Sequence, residues 1–315
     1  MVRLTRVPLL LPLSFLLGCQ GEALGPKSDA ADAGPRFANV GSAPASPAIA
    51  FGDGRILKVM NADGTNQTGL ASTAFMPIPS WAPFGAGTET DPYRIVFAQS
   101  LCQIARIDVV VVNGTVQGKN LTSLPTTSNA CHPVWSPLGG EIAFDEASTD
   151  QPPSSLWVMP AQGGIQTSLY DAPTGFRVVW PTWSRDGSRL AFVEQSEATN
   201  ASAIRILDRT TATTTTVLQL AAGYFIRGLD WARTKDVLAY SVQPPTGGDV
   251  VYTLNVNPVG TPTQIVSGTG PTWSPDDGKL AFRSPTAGKI VSIDLATKKT
   301  TTLAVGGAWP DWRRF

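Results

Sequence analysis

Short apolar segments recur along the chain, and each lies a few residues after a tryptophan and a turn-forming stretch. These segments are IVFA from residue 95, IAFD from 142, LAFV from 190, LAYS from 238 and LAFR from 280. A second apolar segment follows each of them, and a Thr- and Leu-rich segment then completes the unit. Runs rich in β-branched residues, such as residues 210–217, favour strands over helices. The pattern therefore predicts units of four strands.

The tryptophans that begin these units are themselves regularly spaced. Six of the nine Trp residues belong to this set, and they are separated by 54, 48, 48, 42 and 39 residues. They are Trp81, Trp135, Trp183, Trp231, Trp273 and Trp312. Strand-only repeats with periods of about 40–50 residues are typical of propeller blades. We therefore predict an all-β, six-bladed β-propeller with four-stranded antiparallel blades, in which each of these Trp side chains packs between adjacent blades.

The two ends of the repeat region complete each other. Residues 49–64 contain two strands of a unit but no Trp strand, whereas residues 310–315 contain a Trp strand and nothing after it. If Trp312 is placed seven residues before Ile49, as in the complete units, the repeat length to Trp81 becomes 39 residues. We predict that the N- and C-terminal strands pair in one blade and close the ring.

The sequence PDDG at residues 275–278 places two adjacent aspartates beside a glycine, as a catalytic carboxylate pair would. The same position of other units holds RDG at 185–187 and LGG at 138–140. Asp and Gly suit tight hairpins, because Asp bonds its own backbone and Gly readily adopts a positive φ. We interpret Asp276 and Asp277 as turn residues.

The first residues have the pattern of an export signal. Arg3 and Arg6 precede an apolar run from Val7 to Leu17, and LLGC at residues 16–19 resembles the lipobox of bacterial lipoproteins. This resemblance implies cleavage before Cys19, a lipid on its thiol and a location on the periplasmic or outer-membrane face of the envelope. An ordinary signal peptide with an incidental Cys is the alternative.

The domain boundaries follow from this pattern. We predict a signal peptide at residues 1–18, a flexible tether at 19–47 and the propeller at 48–315, because the tether segment is too poor in large apolar residues to form a core. The remaining cysteines, Cys102 and Cys131, are an even pair in an oxidising compartment, which favours a disulfide. Two free buried thiols are the alternative.

Charge and residue inventory exclude several functions. The 24 Lys and Arg residues balance the 24 Asp and Glu residues, so the chain lacks the basic surface of a nucleic-acid-binding protein. His132 is the single histidine and no G-x-S-x-G sequence occurs. We expect no catalytic site, metal or cofactor, and a monomer rather than an oligomer. Paired carboxylates of glycoside hydrolase type remain an alternative.

The segments PTWSPDDGKLAF and PTWSRDGSRLAF resemble the repeat of TolB-type propellers, W-S-P-D-G-x-x-I-A-F. The resemblance covers residues 49–315. It implies a scaffold for protein interaction in the cell envelope, although propeller peptidases and lyases share the repeat. The lyases use several histidines around a metal, whereas this chain has one histidine. A carbohydrate lyase is thus a weaker alternative, and a purely structural envelope lipoprotein is a third.

The positions three residues before each phased Trp lie at the entrance of the predicted innermost strands, on one face of the ring. They are Ile78, His132, Trp180, Gly228, Gly270 and Trp309. Aromatic and Arg side chains are enriched in binding hot spots. We predict a funnel for a protein, peptide or glycan, formed by His132, Arg177, Trp180, Phe225, Arg227 and Trp309. The alternative is that Trp180 and Trp309 only plug the channel.

Overall fold

Antiparallel β-strands form all the regular structure in the computed structural model, which describes residues 47–100, 103–127, 129–146, 154–286 and 288–314. The first twelve strands are β1 Ile49–Asp53, β2 Ile56–Met60, β3 Thr68–Ser72, β4 Pro79–Trp81, β5 Tyr93–Ser100, β6 Gln103–Val112, β7 Thr115–Leu124, β8 Ala130–Trp135, β9 Glu141–Glu146, β10 Ser155–Pro160, β11 Thr167–Asp171 and β12 Phe176–Trp183. The others are β13 Arg189–Ser196, β14 Ser202–Asp208, β15 Thr213–Gln219, β16 Phe225–Trp231, β17 Val237–Gln243, β18 Val250–Asn255, β19 Thr263–Ser267, β20 Thr269–Trp273, β21 Lys279–Arg283, β22 Lys289–Asp294, β23 Thr300–Val305 and β24 Ala308–Trp312.

These strands form six four-stranded sheets. Blade 1 contains β24, β1, β2 and β3 from the inside outward, and blades 2 to 6 contain β4–β7, β8–β11, β12–β15, β16–β19 and β20–β23. The innermost strands β4, β8, β12, β16, β20 and β24 each contact the next one, and β24 contacts β4 again. The predicted all-β, six-bladed propeller is confirmed.

Blade 1 closes the ring by pairing the two ends of the propeller. Ile49 is opposite Trp312 in the antiparallel register, and Ala50 is opposite Asp311. The Arg313 N–H adds a hydrogen bond of 2.7 Å to the Ala48 carbonyl. The predicted pairing of the terminal strands is confirmed, and it leaves no blade with an uncovered flank.

The six phased Trp side chains lie between blades, each 5% exposed or less. Trp231 of blade 5, for example, packs with Ala191 and Ile204 of blade 4 and with Leu238 of its own blade. Burial of such a ring, about 150–250 Å² at about 25 cal/mol per Å², contributes roughly 4–6 kcal/mol as an upper bound. These residues hold neighbouring sheets together.

The ring has two different faces. The mouth face carries the loops that lead into the innermost strands, and it also carries the connections between second and third strands of each blade. The turn face carries the hairpins that join innermost to second strands. The connections between third and fourth strands are at the outer edge of the blades, and in blade 3 Gln166 of this connection donates to the Pro125 carbonyl, in the loop that leads into β8, at 3.1 Å. Arg177 and Phe225 are therefore on the mouth-face half of their strands, Trp180 is at the middle of β12 rather than at the predicted strand entrance, and Asp276 is on the turn face.

The two aspartates of the PDDG turn have different roles. Asp276 accepts hydrogen bonds from Ser274 Oγ (2.6 Å) and from the Gly278 N–H (3.0 Å), as expected for a turn residue. The Asp277 carboxylate instead reaches blade 5, where it accepts from the Arg233 N–H (2.7 Å) and from Thr234 N–H (2.7 Å) and Oγ1 (2.6 Å). Asp277 thus joins the hairpins of two neighbouring blades.

Residues 1–46 lie outside the described residues, and with them the predicted signal peptide, Cys19 and most of the tether. Across the described ranges no helix has the length and apolar character needed to span a membrane.

Candidate binding site at the mouth of the ring

The innermost strands are irregular at one shared position, three residues before the phased Trp. Register shifts between innermost and second strands occur there in blades 1, 3, 4, 5 and 6. The residues at these five positions have positive φ: His132 (42°), Trp180 (57°), Gly228 (70°), Gly270 (61°) and Trp309 (53°). A bulge of this kind turns a side chain out of the plane of its sheet. Ile78, the sixth member, precedes β4 and is half-buried.

The three ring-bearing members of this set stack into one aromatic column, consisting of His132, Trp180 and Trp309. The ring centroids of His132 and Trp180 are 3.7 Å apart at an interplanar angle of 40°, and those of Trp180 and Trp309 are 4.6 Å apart at 30°. Trp180 belongs to blade 4 and Trp309 to blade 1, which are opposite each other in a ring of six. The column therefore crosses the axis of the propeller.

Two glycines leave room for the column. A Cβ atom on Gly270 would lie 2.8 Å from Trp309 Cε3, so the indole rests directly on the Gly270 backbone. A Cβ atom on Gly228 would lie 2.8 Å from Gly270 Cα, so these two innermost strands approach each other closely. Large residues in three blades are thus matched by glycine in two others.

His132 is fixed by a buried carboxylate. Its Nδ1 atom lies 2.9 Å from both Oδ1 and Oδ2 of Asp145, and the two residues are 7% and 1% exposed. An Nδ1–H donated to the carboxylate sets the orientation of the imidazole on which Trp180 stacks. The preceding residue, Cys131, is disulfide-bonded. Its predicted partner, Cys102, lies outside the described residues, so the pairing itself stays a prediction.

Two arginines lie beside the column. Nε and Nη2 of Arg177 donate to Gln195 Oε1 at 2.9 and 2.6 Å. Burial lowers the pKa of the Arg177 guanidinium; the charges of Glu197 and Asp145 raise it, and the positive charge of Arg227 lowers it further. Arg177 and Arg227 are both half-buried and close enough to repel each other. The mouth therefore holds two guanidinium groups, with the carboxylates of Glu197 and Asp145 close to Arg177, next to aromatic rings.

The structure thus brings His132, Trp180 and Trp309 into direct contact. Arg177 and Arg227 lie close enough together to interact electrostatically. Phe225 begins β16, two residues before Arg227, and is half-buried. Because the column spans the axis, its stacking also has the geometry of a plug in the channel. A plug was the alternative that the sequence left open. A partner at the mouth would meet the exposed parts of Trp180 and Trp309 rather than thread the channel.

A second set of residues, which the sequence analysis missed, lines the inner edge of the ring. The residue before the phased Trp accepts a hydrogen bond from the backbone N–H of the next blade's Trp at five of the six blade junctions. The acceptors form a polar ring: Ser80 (3.1 Å), Thr182 (3.2 Å), Asp230 (2.8 Å), Thr272 (3.2 Å) and Asp311 (2.7 Å). An innermost strand has no strand partner on the axial side, so these N–H groups need side-chain acceptors.

Asp230 and Asp311 of the polar ring belong to a group of charges. Asp230 forms two hydrogen bonds with the Arg233 guanidinium, at 2.9 and 3.0 Å, and lies 3.9 Å from Arg314. Burial raises the pKa of Asp311 to about 6; Arg233 lowers it and Asp230 raises it. Burial, reinforced by the charge of Arg233, lowers the pKa of Arg314 to about 10. Two carboxylates, Asp230 and Asp311, and two guanidinium groups, Arg233 and Arg314, thus lie together at the ring-closing strand β24.

Among the described residues, no group of three or more His, Cys, Asp or Glu side chains could hold a metal ion. The side chains gathered at the mouth offer ring faces and guanidinium donors. Their chemistry suits the binding of a partner.

No protein-family model and no curated protein sequence matches this chain. Solved structures do resemble it. TolB from Acinetobacter baumannii has a TM-score of 0.62 at 15% identity, with 85% of this chain and 67% of that chain covered. The chain has the fold of TolB-type propellers. A TolB candidate from Agrobacterium tumefaciens gives 0.62 at 14% identity, with 84% and 91% covered. A chain of a nidogen/laminin complex gives 0.63 at 13% identity, with 85% and 98% covered. At such low identities these likenesses describe the fold alone.

Proposed function

We propose that this protein is a lipid-anchored binding scaffold of the cell envelope, whose TolB-like propeller takes a protein, peptide or glycan partner at the mouth of the ring. The observation that carries this proposal is the aromatic column on positive-φ bulges. The proposal assigns binding, and no catalytic step, to these residues.

The backbone conformation at the column supports a role beyond packing. Residues other than glycine rarely have positive φ, and each such residue costs of order 1–3 kcal/mol when held there. His132, Trp180 and Trp309 carry this cost at equivalent positions of three blades, where Gly228 and Gly270 show that a small residue also fits. Half-buried Trp side chains beside Arg177 and Arg227 are the residue types that dominate binding hot spots.

The place of action rests on the N-terminal sequence. The basic residues, the apolar run and LLGC at residues 16–19 support export and a lipid on Cys19. The disulfide at Cys131 agrees with an oxidising compartment. The resemblance to TolB-type repeats supports a location in the envelope.

Capture of partners in cells tests the binding site. Crosslinking followed by mass spectrometry identifies proteins held by the wild-type chain, and synthetic peptides or glycans derived from them serve as probes. We expect Trp180→Ala and Trp309→Ala each to weaken probe binding at least tenfold, because each removes part of the ring surface. Trp157→Ala is the control, because Trp157 is on the third strand of blade 3, with its Nε1 bonded to Glu146 at 2.7 Å. Unchanged binding in both mouth variants would refute the site.

Membrane fractionation tests the anchor. We expect Cys19→Ser to move the protein from the membrane fraction to the soluble fraction, because the thiol that would carry the lipid is gone. Intact-mass measurement of the wild-type protein should show the added diacylglycerol. Membrane retention of the Ser variant at wild-type level would contradict the anchor without affecting the mouth site.

A further inference from the structure

The Arg227 guanidinium, at the mouth of the ring, has no counter-ion in the described part of the chain. Arg227 is half-buried on β16, and its side chain forms no ion pair and no hydrogen bond with a described residue. Arg189, which is also half-buried, instead donates from Nη2 to Asp236 Oδ1 at 2.7 Å. A partly desolvated guanidinium loses hydration that an acceptor would replace. Arg227 is therefore a charged donor without an acceptor among these residues.

The neighbouring guanidinium of Arg177 already has an acceptor and counter-charges. Its Nε and Nη2 atoms donate to Gln195 Oε1. Burial lowers the pKa of Arg177, and the negative charges of Glu197 and Asp145 act against that shift. Gln195 is 4% exposed, and its Nε2 atom has no hydrogen-bond partner in the described ranges. The charge left for a ligand is thus that of one guanidinium, Arg227, and a buried amide donor beside Arg177 is also unsatisfied.

Arg227 lies next to Gly270, on which the aromatic column rests. It is opposite Ser241 in the antiparallel register, and Ser241 Oγ accepts a hydrogen bond of 3.2 Å from the Gly270 N–H. The residue after Arg227, Gly228, comes so close to Gly270 that its Cβ atom would lie 2.8 Å from Gly270 Cα. Trp309 packs on the same Gly270 backbone. One short ligand can therefore reach both Arg227 and the Trp309 end of the column.

The column leaves ring edges, and only parts of ring faces, for a partner. Trp180 is stacked between His132 and Trp309, with centroid distances of 3.7 and 4.6 Å, so rings cover both sides of its indole. An aromatic ring carries partial positive charge at its edge and negative charge on its face. The indole edges therefore accommodate a nearby anion and pack against an apolar side chain. A sugar ring, which stacks on an open face, finds less surface here.

We propose that the mouth of the ring binds a peptide through a carboxylate on Arg227, with an apolar side chain of the same peptide packed against Trp180 and Trp309. This inference rests on the proposed function and specifies its partner. A guanidinium binds a carboxylate through two parallel hydrogen bonds, and the one unpaired charge of Arg227 matches the single charge of a carboxylate. Recognition of a phosphorylated peptide instead uses clusters of arginines. The carboxylate belongs either to the C-terminus of the peptide or to an Asp or Glu side chain.

Defined peptide libraries test which chemistry the mouth retains. Random octapeptides are passed over the immobilised full chain in three forms: a free C-terminus without Asp or Glu, a C-terminal amide with Asp and Glu, and a C-terminal amide without either acid. Mass spectrometry identifies the retained peptides. We expect enrichment from the first library, which identifies a C-terminal carboxylate, or from the second, which identifies a side-chain carboxylate. The third should yield at least about tenfold less, the effect of losing one charge-assisted contact.

A second measurement places the carboxylate on Arg227. The peptide retained best is synthesised with its carboxylate and with that group as an amide, and both forms are titrated against the wild type and Arg227→Gln. We expect the amide to bind the wild type about tenfold more weakly than the acid, whereas Arg227→Gln should bind both forms about equally. Arg227→Lys should restore only part of the difference, because Lys keeps the charge but lacks the two parallel donors.

Arg185→Gln is the matched control. Arg185 is exposed in the hairpin of blade 4 on the turn face, so this substitution removes the same charge from the opposite face. It should leave the affinity for both peptide forms unchanged. Arg227→Gln should melt at the wild-type temperature, because the Arg227 side chain has no described partner to lose. This measurement separates a loss of binding from misfolding.

Three results would overturn the inference. Equal enrichment from all three libraries would mean that no carboxylate is recognised. Equal weakening of the acid and amide forms by Arg227→Gln would mean that Arg227 does not contact the carboxylate. Retention of no peptide from any library would exclude a peptide partner.

The proposed binding site is tested separately by Trp180→Ala and Trp309→Ala. If these variants lose a captured probe while amidation and Arg227→Gln have no effect, the site at the mouth stands and carboxylate recognition is wrong. If peptide binding depends on Arg227 but on neither Trp, the aromatic column is not the binding site, and the proposed function is overturned together with this inference.

Discussion

At the scale of single residues, a repeated position takes different side chains with one backbone conformation. The bulge three residues before the phased Trp holds His132, Trp180 and Trp309 in three blades, and Gly228 and Gly270 in two others, all with positive φ. The bulge is thus a property of the blade, and the side chain on it determines what reaches the axis. Large rings in some blades require the small residues in others.

Gly270→Ala tests this dependence, with Gly54→Ala as its matched control. Both glycines have similar φ, +61° and +58°, but a Cβ atom on Gly270 would lie 2.8 Å from Trp309, whereas nothing lies within 4 Å of one on Gly54. We expect Gly54→Ala to lower the free energy of unfolding by about 1 kcal/mol. Gly270→Ala should cost at least twice as much and alter the near-ultraviolet circular dichroism of the stacked indoles. Equal effects in the two variants would mean that Trp309 does not pack on Gly270.

The carboxylate of Asp311 predicts a pH dependence of stability. Its pKa is raised from 3.8 to about 6, so ionisation in the folded state costs free energy that begins near pH 4 and is complete above about pH 6. Asp311→Asn removes the charge and keeps an oxygen to accept from Trp81. We expect the variant to be more stable than wild type by about 1–3 kcal/mol at pH 7.5, with the difference vanishing near pH 4.

Asp186→Asn is the control for this pH series, because its shift has the opposite sign. A hydrogen bond from Ser184 lowers the pKa of Asp186 to about 2. The stabilisation by this carboxylate is present above about pH 4 and is lost as the pH falls through 2. Urea unfolding from pH 4 to 7.5 should therefore show a pH-independent loss for Asp186→Asn. A pH-independent difference for Asp311→Asn as well would contradict the assignment.

At the scale of elements, the innermost strands are joined around the axis by side chains. A free strand edge has unpaired N–H groups. Here, the backbone N–H groups of five of the six phased Trp residues donate hydrogen bonds to polar-ring side chains of the preceding blade. The blade 3–blade 4 junction is the exception, where Val134 occupies the acceptor position and its carbonyl accepts from Trp183 Nε1 at 3.2 Å. Adjacent blades are thus held by hydrogen bonds near the axis as well as by buried indoles.

Thr182→Val tests one link of the polar ring. The two side chains have nearly the same shape, but Val cannot accept from the Trp231 N–H, which is bonded to Thr182 Oγ1 at 3.2 Å. We expect a loss of about 1–3 kcal/mol in the free energy of urea unfolding, because a buried donor is left unsatisfied.

The reverse substitution is the matched control. Val134→Thr places a hydroxyl at the equivalent position of blade 3, where the valine is half-buried. We expect a change of no more than about 0.5 kcal/mol. If Thr182→Val and Val134→Thr had the same effect, the acceptor at this position would contribute nothing specific.

At the scale of the whole molecule, closure of the ring depends on the last strand. β24 supplies the innermost strand of blade 1, and it contacts β20 of blade 6 and β4 of blade 2. Without it, the inner edge of blade 1 and the flanks of two neighbours are uncovered. The closed ring gives every blade two neighbouring blades, and the chain without β24 would lose this closure.

Deletion of residues 306–315 tests closure. We expect the truncated chain to lose the cooperative thermal transition of the wild type, because blade 1 loses its innermost strand and the core cluster around Ile49 loses the Trp312 side chain. Trp309→Ala is the control: β24 and its pairing with β1 remain, so a single cooperative transition should persist. A truncated chain that melts like wild type would show that closure is dispensable.

Much of the fold could be predicted because each blade repeats the same local sequence pattern of Trp, hairpin turn and apolar strand. The spacing of Trp231 and Trp273, the Asp-Gly hairpins and the incomplete terminal units together specify the number of blades and their closure. The candidate site could be predicted only as a set of positions. That Trp180 and Trp309 stack across the axis depends on their blades being opposite each other, which the order of residues alone does not reveal. The link from Asp277 to the neighbouring hairpin was missed for the same reason.

The sequence by itself determined the repeat, the six blades, their closure through the terminal strands and the position on which the mouth side chains lie. These features follow from short-range periodicity, which a single chain displays directly. Only the tertiary structure decided that His132, Trp180 and Trp309 form one column and that the polar ring joins the blades. Each of these is a contact or a shared surface of residues far apart in sequence, and it exists only once the ring has closed.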